Sequence, residues 1–108
     1  MNLRDLSEIL GLEEADVLDL VDLFVNTCTS DLAKLEEGIQ SGHHQTVADA
    51  AHSIKGASGN MRFDTIYELS KDIEDSARAQ DLSEVSDRLA GIRKELEKIA
   101  ADIKTYRK

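Results

Sequence analysis

Apolar residues recur at intervals of three and four positions through two long stretches of the sequence. Such spacing places their side chains along one face of an α-helix. The chain has 108 residues and no proline, so no proline interrupts helices of this length. The apolar positions of the two stretches are Val17, Val21, Phe24, Cys28, Leu32, Leu35 and Ile39, then Leu82, Val85, Leu89, Ile92, Leu96, Ile99, Ile103 and Tyr106.

Two further helices are predicted between these stretches. The first long helix should end near Ser41 and Gly42, because glycine readily adopts the left-handed conformation that closes a helix. The next helix is predicted from about His44 to Asn60. Its core face comprises Val47, Ala50, Ala51, Ile54, Ala57, Ser58 and Met61.

The third long helix is predicted to start near Asp64, a favourable N-cap, and to end near Ala79. In the last helix, Asp81 is predicted to cap the start and Glu84 to reach back toward it. The predicted core face of the third helix comprises Ile66, Leu69, Ser70, Ile73 and Ala77.

These four amphipathic helices predict an all-α fold, an up-down-up-down antiparallel four-helix bundle formed by one domain over residues 1–108. Leu3, Leu6, Ile9 and Leu10 predict a short additional N-terminal helix that closes one end. The unbroken three-four pattern of the last helix would also suit a coiled-coil dimer, but three other amphipathic helices with short connections favour the bundle.

Composition excludes several classes of partner. The formal net charge of −9 disfavours nucleic acid and anionic membranes, which would repel the chain, and favours a protein partner. No run approaches the roughly 18 consecutive apolar residues of a membrane span, and MNLRDLSEIL is too polar for a signal peptide. A cytoplasmic protein is expected, with its lone Cys28 as a buried core thiol.

His52 lies in the segment AHSIKGASGN, residues 51–60, and about 100° of rotation per residue places it opposite the core face of its helix. It should therefore face solvent. Ala48, Gly56 and Gly59 are predicted to share that surface, although each helical glycine costs roughly 0.5 to 1 kcal/mol relative to alanine. We interpret these small residues as a docking area where the backbone of another protein approaches the imidazole.

Three polar neighbours complete the predicted site. Lys55, at position i+3, should lean back toward His52, disfavour protonation of the ring and attract a phosphoryl group. Asp49, at i−3, acts in the opposite sense, and helix geometry alone leaves open which charge dominates. Gln45, one further turn away, could hydrogen-bond to an oxyanion.

The segment AHSIKGASGNM resembles the signature of histidine-containing phosphotransfer (HPt) domains, roughly Ala-His-x-Leu-Lys-Gly-x-Ser-x-Asn-Leu-Gly. The family's final glycine corresponds here to Arg62, and Phe63 follows where a small residue is common, so the helix end and its docking contacts should differ from the family pattern. The matching residues are Ala51, His52, Lys55, Gly56, Ser58 and Asn60, with Ile54 and Met61 as conservative replacements.

The resemblance implies a monomeric carrier of a two-component phosphorelay, without kinase or phosphatase activity of its own. Nε2 of His52 would accept a phosphoryl group from a receiver-domain aspartate and pass it to another receiver, while Lys55 stabilises the charge. The implied partners are response-regulator receiver domains and a hybrid sensor kinase. The chain would need no metal or cofactor of its own, because the receiver supplies Mg²⁺.

Other interpretations remain at this point. A metal site formed by His43, His44 and His52 with Asp49 or Asp31 lacks the usual ligand spacing. Hydrolysis using Ser53 or Ser58 lacks a suitable geometry on the helix. The alternative from another class is a non-catalytic helical adaptor or dimerising bundle, in which His52 is incidental. The chain could also be the acceptor module of a larger sensor kinase, although its initial methionine and capped helices favour a free-standing protein.

Overall fold

A computed structural model describes all 108 residues and contains five α-helices and no β-strand. The helices are α1 (Leu3–Leu10), α2 (Glu14–Ser41), α3 (His44–Asn60), α4 (Asp64–Arg78) and α5 (Val85–Tyr106). The predicted all-α fold with a short N-terminal helix is confirmed. None of the five helices combines the length and the apolar content required to cross a membrane.

The four long helices form a closed bundle. Helix α3 packs between α2 and α4, helix α5 also packs between α2 and α4, and α1 packs mainly against α2. The N–H of Leu3 at the start of α1 also donates to the hydroxyl of Tyr106 in α5 at 3.3 Å. The 28 residues of α2 extend over about 42 Å at 1.5 Å per residue, which matches the 42 Å long dimension of the molecule. The molecule is therefore as long as its longest helix, as expected for the predicted four-helix bundle.

The periodic apolar faces of α2 and α5 form most of the core. All predicted positions from Val17 to Leu35 are buried. In α5, the buried residues are Val85, Leu89, Ile92, Leu96, Ile99 and Ile103. The three-four pattern of α5 is thus used inside the chain's own bundle, so it does not provide the exposed seam that the dimerising alternative requires.

Cys28 is buried in this core, as predicted. Burial, followed by the negative charge of Asp31, raises the pKa of the Cys28 thiol to about 12. The thiol is therefore protonated at neutral pH and fills space as a small apolar group.

The start of α4 differs slightly from the prediction. Asp64 is the first helical residue rather than the N-cap, and Phe63 precedes it without a side-chain capping bond. Phe63 instead packs edge-to-face against Phe24 of α2, with ring centroids 5.0 Å apart and an interplanar angle of 61°. Contact with the core therefore takes the place of a polar cap at this helix start.

The start of α5 was predicted wrongly. Asp81 Oδ1 accepts hydrogen bonds from the backbone N–H of Ser83 at 3.0 Å and from its hydroxyl at 2.6 Å. This local turn competes with helix formation, so α5 begins only at Val85. Oε2 of Glu84 lies 3.4 Å from Nη1 of Arg88, so the Glu84 side chain does not reach back to Asp81.

Helix α3 ends in a turn that gives Arg62 a left-handed backbone, with φ of 62°. The N–H of Phe63 donates to the carbonyl of Ser58 at 2.9 Å, and the N–H of Arg62 donates to that of Gly59 at 3.2 Å. This is the Schellman arrangement, in which glycine is favoured at the left-handed position. The departure at Arg62 therefore leaves the turn intact but adds backbone strain.

Arg62→Gly is expected to stabilise the protein by about 1 kcal/mol, because glycine adopts the left-handed conformation without the Cβ clash. The measurement is the free energy of unfolding in urea. Lys94→Gly, at an exposed position inside α5, is the matched control and should destabilise the protein by about 1 kcal/mol. Equal losses from both substitutions would show that Arg62 is not strained.

Candidate functional site

His52 lies near the middle of α3 and projects away from the core. Its side chain is 64% exposed, whereas the neighbouring core residues Ala51 and Ile54 are fully buried. The predicted orientation toward solvent is therefore confirmed. An imidazole so exposed is accessible to a protein partner.

The ring of His52 is held from one side by Glu74 of α4. Nδ1 lies 2.9 Å from Glu74 Oε2, and the carboxylate is almost completely buried. An ionised carboxylate can only accept hydrogen bonds, so Nδ1 carries the hydrogen and donates it. In the neutral ring, Nε2 is then left without a hydrogen and its lone pair is available as a nucleophile.

Glu74 also binds two cations. Lys55 Nζ lies 2.6 Å from Oε1, while Arg78 Nη2 and Nε lie 2.7 and 3.2 Å from Oε2. Burial raises the pKa of Glu74, but hydrogen bonds from Lys55, Arg78 and His52 outweigh it and lower that pKa to about 2. The hydrogen bond to Glu74 in turn is the main cause that raises the pKa of Lys55. The carboxylate therefore remains ionised at any physiological pH.

The lowered pKa makes Glu74 a source of acid sensitivity. Its stabilising contribution is complete above about pH 5 and is lost as the pH falls toward 2, because the unfolded chain takes up the proton first. At about 1.4 kcal/mol per pKa unit the contribution is about 3 kcal/mol, and solvent around Arg78 reduces it to about 2 kcal/mol.

Unfolding free energies in urea at about pH 6 and about pH 2.5 test this linkage. The unmodified protein should lose about 1.5 kcal/mol more than Glu74→Gln over that interval, because about a quarter of the contribution remains at about pH 2.5. Glu68→Gln removes an exposed carboxylate from the same helix and should behave like the unmodified protein. An identical pH dependence for the unmodified protein and Glu74→Gln would contradict the linkage.

Glu74 was not among the predicted site residues, and the sequence left open whether Lys55 or Asp49 dominates at the ring. Asp49 accepts a hydrogen bond from the Gln45 amide at 2.7 Å, so the acid that contacts His52 comes from another helix. The ammonium of Lys55 binds this acid, so the Glu74 carboxylate is held between the two cations Lys55 and Arg78. A usable signal existed, since Glu74 lies four residues after buried Ser70 and three before buried Ala77, on the core face of α4.

The predicted docking role of Ala48 is wrong. Ala48 is only 1% exposed, because α4 covers the flank of α3 that carries it. A polar cleft of about 330 Å³ lies over this junction, lined by His44, Gln45, Ala48, Ala77, Arg78 and Gln80. The alanine lets the two helices approach and offers no surface to a partner.

Gly59 is small for a similar reason. A Cβ at this position would lie 3.3 Å from Cδ2 of Tyr67, tighter than an ordinary contact. The ring of Tyr67 in α4 therefore accounts for this glycine within the chain. Partner docking is not needed to explain it.

Gly56 has no such explanation. A Cβ there would meet nothing within 4 Å, and the residue is exposed one helical turn beyond His52. Asn60, a further turn along the same face, lines an apolar groove of about 380 Å³ between α3, α2 and the end of α1. The other groove residues are Leu10, Leu12, Leu20, Leu23, Phe24, Thr27, Ala57 and Met61.

The remaining candidate chemistries find no support in the geometry. No group of three or more His, Cys, Asp or Glu residues lies close enough together to hold a metal ion. The hydroxyl of Ser53 donates to Asp31 Oδ2 of α2 at 2.6 Å. The buried hydroxyl of Ser58 donates to the carbonyl of Ile54 at 2.7 Å. Neither serine is hydrogen-bonded to His52.

Comparisons with known proteins agree with this geometry. A model of the Hpt domain family matches residues 19–102. The crystal structure of histidine-containing phosphotransfer protein B (HptB) from Pseudomonas aeruginosa PAO1 is similar, with a TM-score of 0.83 and 28% sequence identity over 97% of this chain and 89% of that chain. No match was found among curated proteins.

Proposed function

The chain belongs to the Hpt domain family, and on that basis we propose that it is a phosphoryl carrier of a two-component phosphorelay with His52 as the acceptor. The observation that carries the assignment is the state of the His52 ring. Its side chain is 64% exposed while Nδ1 is bound to Glu74, so Nε2 is the nitrogen that faces an incoming partner.

The proposed step exchanges one bond for another at phosphorus. The Nε2 lone pair of His52 attacks the phosphorus of a receiver aspartyl phosphate, a P–N bond forms, and the P–O bond to the aspartate breaks as the carboxylate departs. Onward transfer reverses these changes at a second receiver. In-line geometry and charge neutralisation supply most of the catalysis in such a transfer.

Lys55 is the predicted group that stabilises the phosphoryl charge. Its side chain is 26% exposed and its ammonium is bound to Glu74 beside the imidazole. The ammonium has three hydrogens to donate, so it can retain one bond to Glu74 while another turns toward a phosphoryl oxygen. Gln45 stays a weaker candidate, since its amide already donates to Asp49.

A receiver domain would dock across Gly56 and the adjoining apolar groove. Gly56 leaves open space beside His52, so a partner's backbone can come close to the imidazole. Leu23, at 61% exposed, and Leu20, at 38%, present apolar surface on the α2 wall of the groove. An exposed apolar patch next to an exposed nucleophile is typical of a protein-docking surface.

The chain would have no kinase or phosphatase activity and no cofactor of its own, and the receiver would supply Mg²⁺ with its aspartyl phosphate. Receiver domains of response regulators and of a hybrid sensor kinase would be the donors and acceptors. A monomer is expected, because the apolar face of α5 is buried within the bundle.

Transfer from a phosphorylated receiver tests the proposal. The purified protein is mixed with a ³²P-labelled receiver domain and Mg²⁺, and label on the chain is followed with time. We expect about one phosphoryl group per chain, with the acid-labile and base-stable behaviour of a phosphoramidate. Absence of label across several receivers, or acid-stable label, would contradict a phosphohistidine carrier.

A further inference from the structure

We propose that Arg62 is a specificity-determining residue for the receiver, an inference that rests on the proposed function. Its guanidinium binds a carboxylate of the receiver at the edge of the docking surface, which is formed by Gly56 and the apolar groove. The receiver that Arg62 selects therefore carries an acidic side chain near its phosphorylated aspartate. The signature that this segment resembles has glycine at position 62, so the cation is a feature of this chain.

The backbone of Arg62 is unfavourable for an arginine. Its φ of 62° is left-handed, a conformation that glycine adopts without the Cβ clash. The turn is closed by backbone hydrogen bonds alone and does not need the arginine side chain. Gln80 after α4 has a similar φ of 60°, so strain by itself does not assign a role. The charge and the position of Arg62 do.

The guanidinium of Arg62 is exposed and has no partner within the chain. Asp5, Asp64 and Glu95 line the two clefts beside it, but none of them forms an ion pair with it. Its N–H donors are therefore free, and a guanidinium can bind a carboxylate through two parallel hydrogen bonds. The other five arginines each form an ion pair with an aspartate or glutamate: Arg4, Arg78, Arg88, Arg93 and Arg107.

The helix ends do not account for this cation. Arg62 follows the C-terminus of α3, where the helix dipole favours positive charge. It also lies two residues before the start of α4, where the dipole of that helix disfavours positive charge. The two effects oppose each other across the short turn, so a favourable contact for the guanidinium must come from outside the chain.

Arg62 lies at the edge of the docking surface. It lines a cleft of about 170 Å³ together with Ile9, which is 58% exposed. Leu10 and Met61, their neighbours in the chain, line the apolar groove, so the cleft and the groove adjoin. The end of α3 lies about 12 Å beyond His52 at 1.5 Å per residue. A contact of about 800 Å² centred on His52 has a radius of about 16 Å and reaches this turn.

This position defines the chemistry of the partner. The phosphorylated aspartate of the receiver meets Nε2 of His52 during transfer, and Arg62 follows ten residues later, about 15 Å along the helix axis. The matching carboxylate should therefore lie about 10 to 20 Å from the phosphorylated aspartate. A receiver with a basic residue there would be repelled by the guanidinium, and such repulsion helps to exclude wrong partners.

The first test is the second-order rate of label transfer from the receiver that labels the unmodified protein fastest among several. At about 50 mM salt, Arg62→Gln should lower this rate about five- to tenfold, and at about 500 mM salt the difference should fall below about twofold, because exposed charges are screened. Lys94→Gln removes an exposed, unpaired cation from α5 and should transfer at the unmodified rate. Equal rates for Arg62→Gln and the unmodified protein at low salt would overturn the inference.

Charge reversal identifies the acid on the receiver. Arg62→Glu should slow transfer from the same receiver about ten- to hundredfold. Each acidic residue within about 20 Å of the receiver's phosphorylated aspartate is then replaced by lysine. One of these replacements should restore transfer to Arg62→Glu by about tenfold while slowing the unmodified protein, as expected for a direct pair. If none restores it, the inference is wrong.

Arg62→Gly separates backbone strain from charge. It removes both, so it should be more stable than the unmodified protein and yet transfer as slowly as Arg62→Gln. A more stable Arg62→Gly variant that transfers at the unmodified rate would show that Arg62 has no role in docking.

Labelling by phosphoramidate distinguishes failure of this inference from failure of the carrier function. This small donor needs no docking, so it should label Arg62→Gln and the unmodified protein equally on His52. If neither phosphoramidate nor any receiver labels the unmodified protein, the carrier function is wrong and the inference falls with it. If phosphoramidate labels Arg62→Gln as slowly as the receiver does, the substitution acts on the folded site rather than on docking, and only the inference is wrong.

Discussion

His52→Gln is expected to reduce labelling by a phosphorylated receiver at least about 10³-fold, to the background level. Glutamine retains a polar side chain that can donate to Glu74, but its amide nitrogen is not nucleophilic. Since the side chain of His52 is largely exposed, the substitution should leave the bundle folded. The initial rate of label transfer, together with the thermal unfolding midpoint, measures both effects.

His43→Gln is the matched control for this prediction. His43 is also exposed and immediately precedes α3, but it contacts neither Glu74 nor the groove. Its variant should accept label at the unmodified rate. Full labelling of His52→Gln would mean that another residue is the acceptor, and that the exposed ring on α3 is incidental.

Gly56→Leu is expected to slow transfer from a receiver by at least about tenfold, because the added side chain occupies open space beside His52. A tenfold loss corresponds to about 1.4 kcal/mol of docking energy, within the range for a residue at the centre of an interface. Leucine is also a better helix former than glycine, so the isolated protein should become more stable.

Labelling by phosphoramidate separates docking from chemistry. This small donor needs no docking surface, so Gly56→Leu should be labelled by it at the unmodified rate.

Two further variants test the position of the docking surface. Ala90→Leu, at an exposed position of α5, should transfer normally from the receiver. Leu23→Asp, on the α2 wall of the groove, should independently slow receiver transfer. Unimpaired receiver transfer in both Gly56→Leu and Leu23→Asp would mean that docking occurs elsewhere.

The helices could be predicted because each has its own apolar period. The bounds of α3 follow from Gly42 before it and from the loss of periodicity after Met61, and they were predicted correctly. The start of α5 was not, because the short turn formed by Asp81 and Ser83 depends on which of two local hydrogen-bond patterns is more stable. Periodicity carries no information about that competition.

The immediate surroundings of His52 could be predicted only along α3. A helix has one rotational phase, so the exposure of His52 and the burial of Ser58 follow from the sequence of α3 itself. Glu74 approaches from α4, and its distance to the ring depends on the axial register between two packed helices. Its position on the core face of α4 indicated a buried acid, but not which histidine or cation would bind it.

Ala48 was assigned wrongly because the sequence of α3 does not show which neighbouring helices pack against it. The helical wheel assumes a single buried direction, whereas α3 packs against both α2 and α4. The second neighbour widens the buried arc of α3 and covers the flank with Ala48 and Gly59. Gly56 lies outside this arc, so it is the one small residue near His52 that intramolecular packing does not explain.

The most direct test of the account is to locate the phosphorus atom. Uniformly ¹⁵N-labelled protein is phosphorylated by a receiver, and phosphorus–nitrogen coupling is measured by NMR. The account predicts coupling to Nε2 of His52, with hydrogen retained on Nδ1. Coupling to Nδ1, coupling to His43 or His44, or phosphorus bound only to oxygen would contradict it.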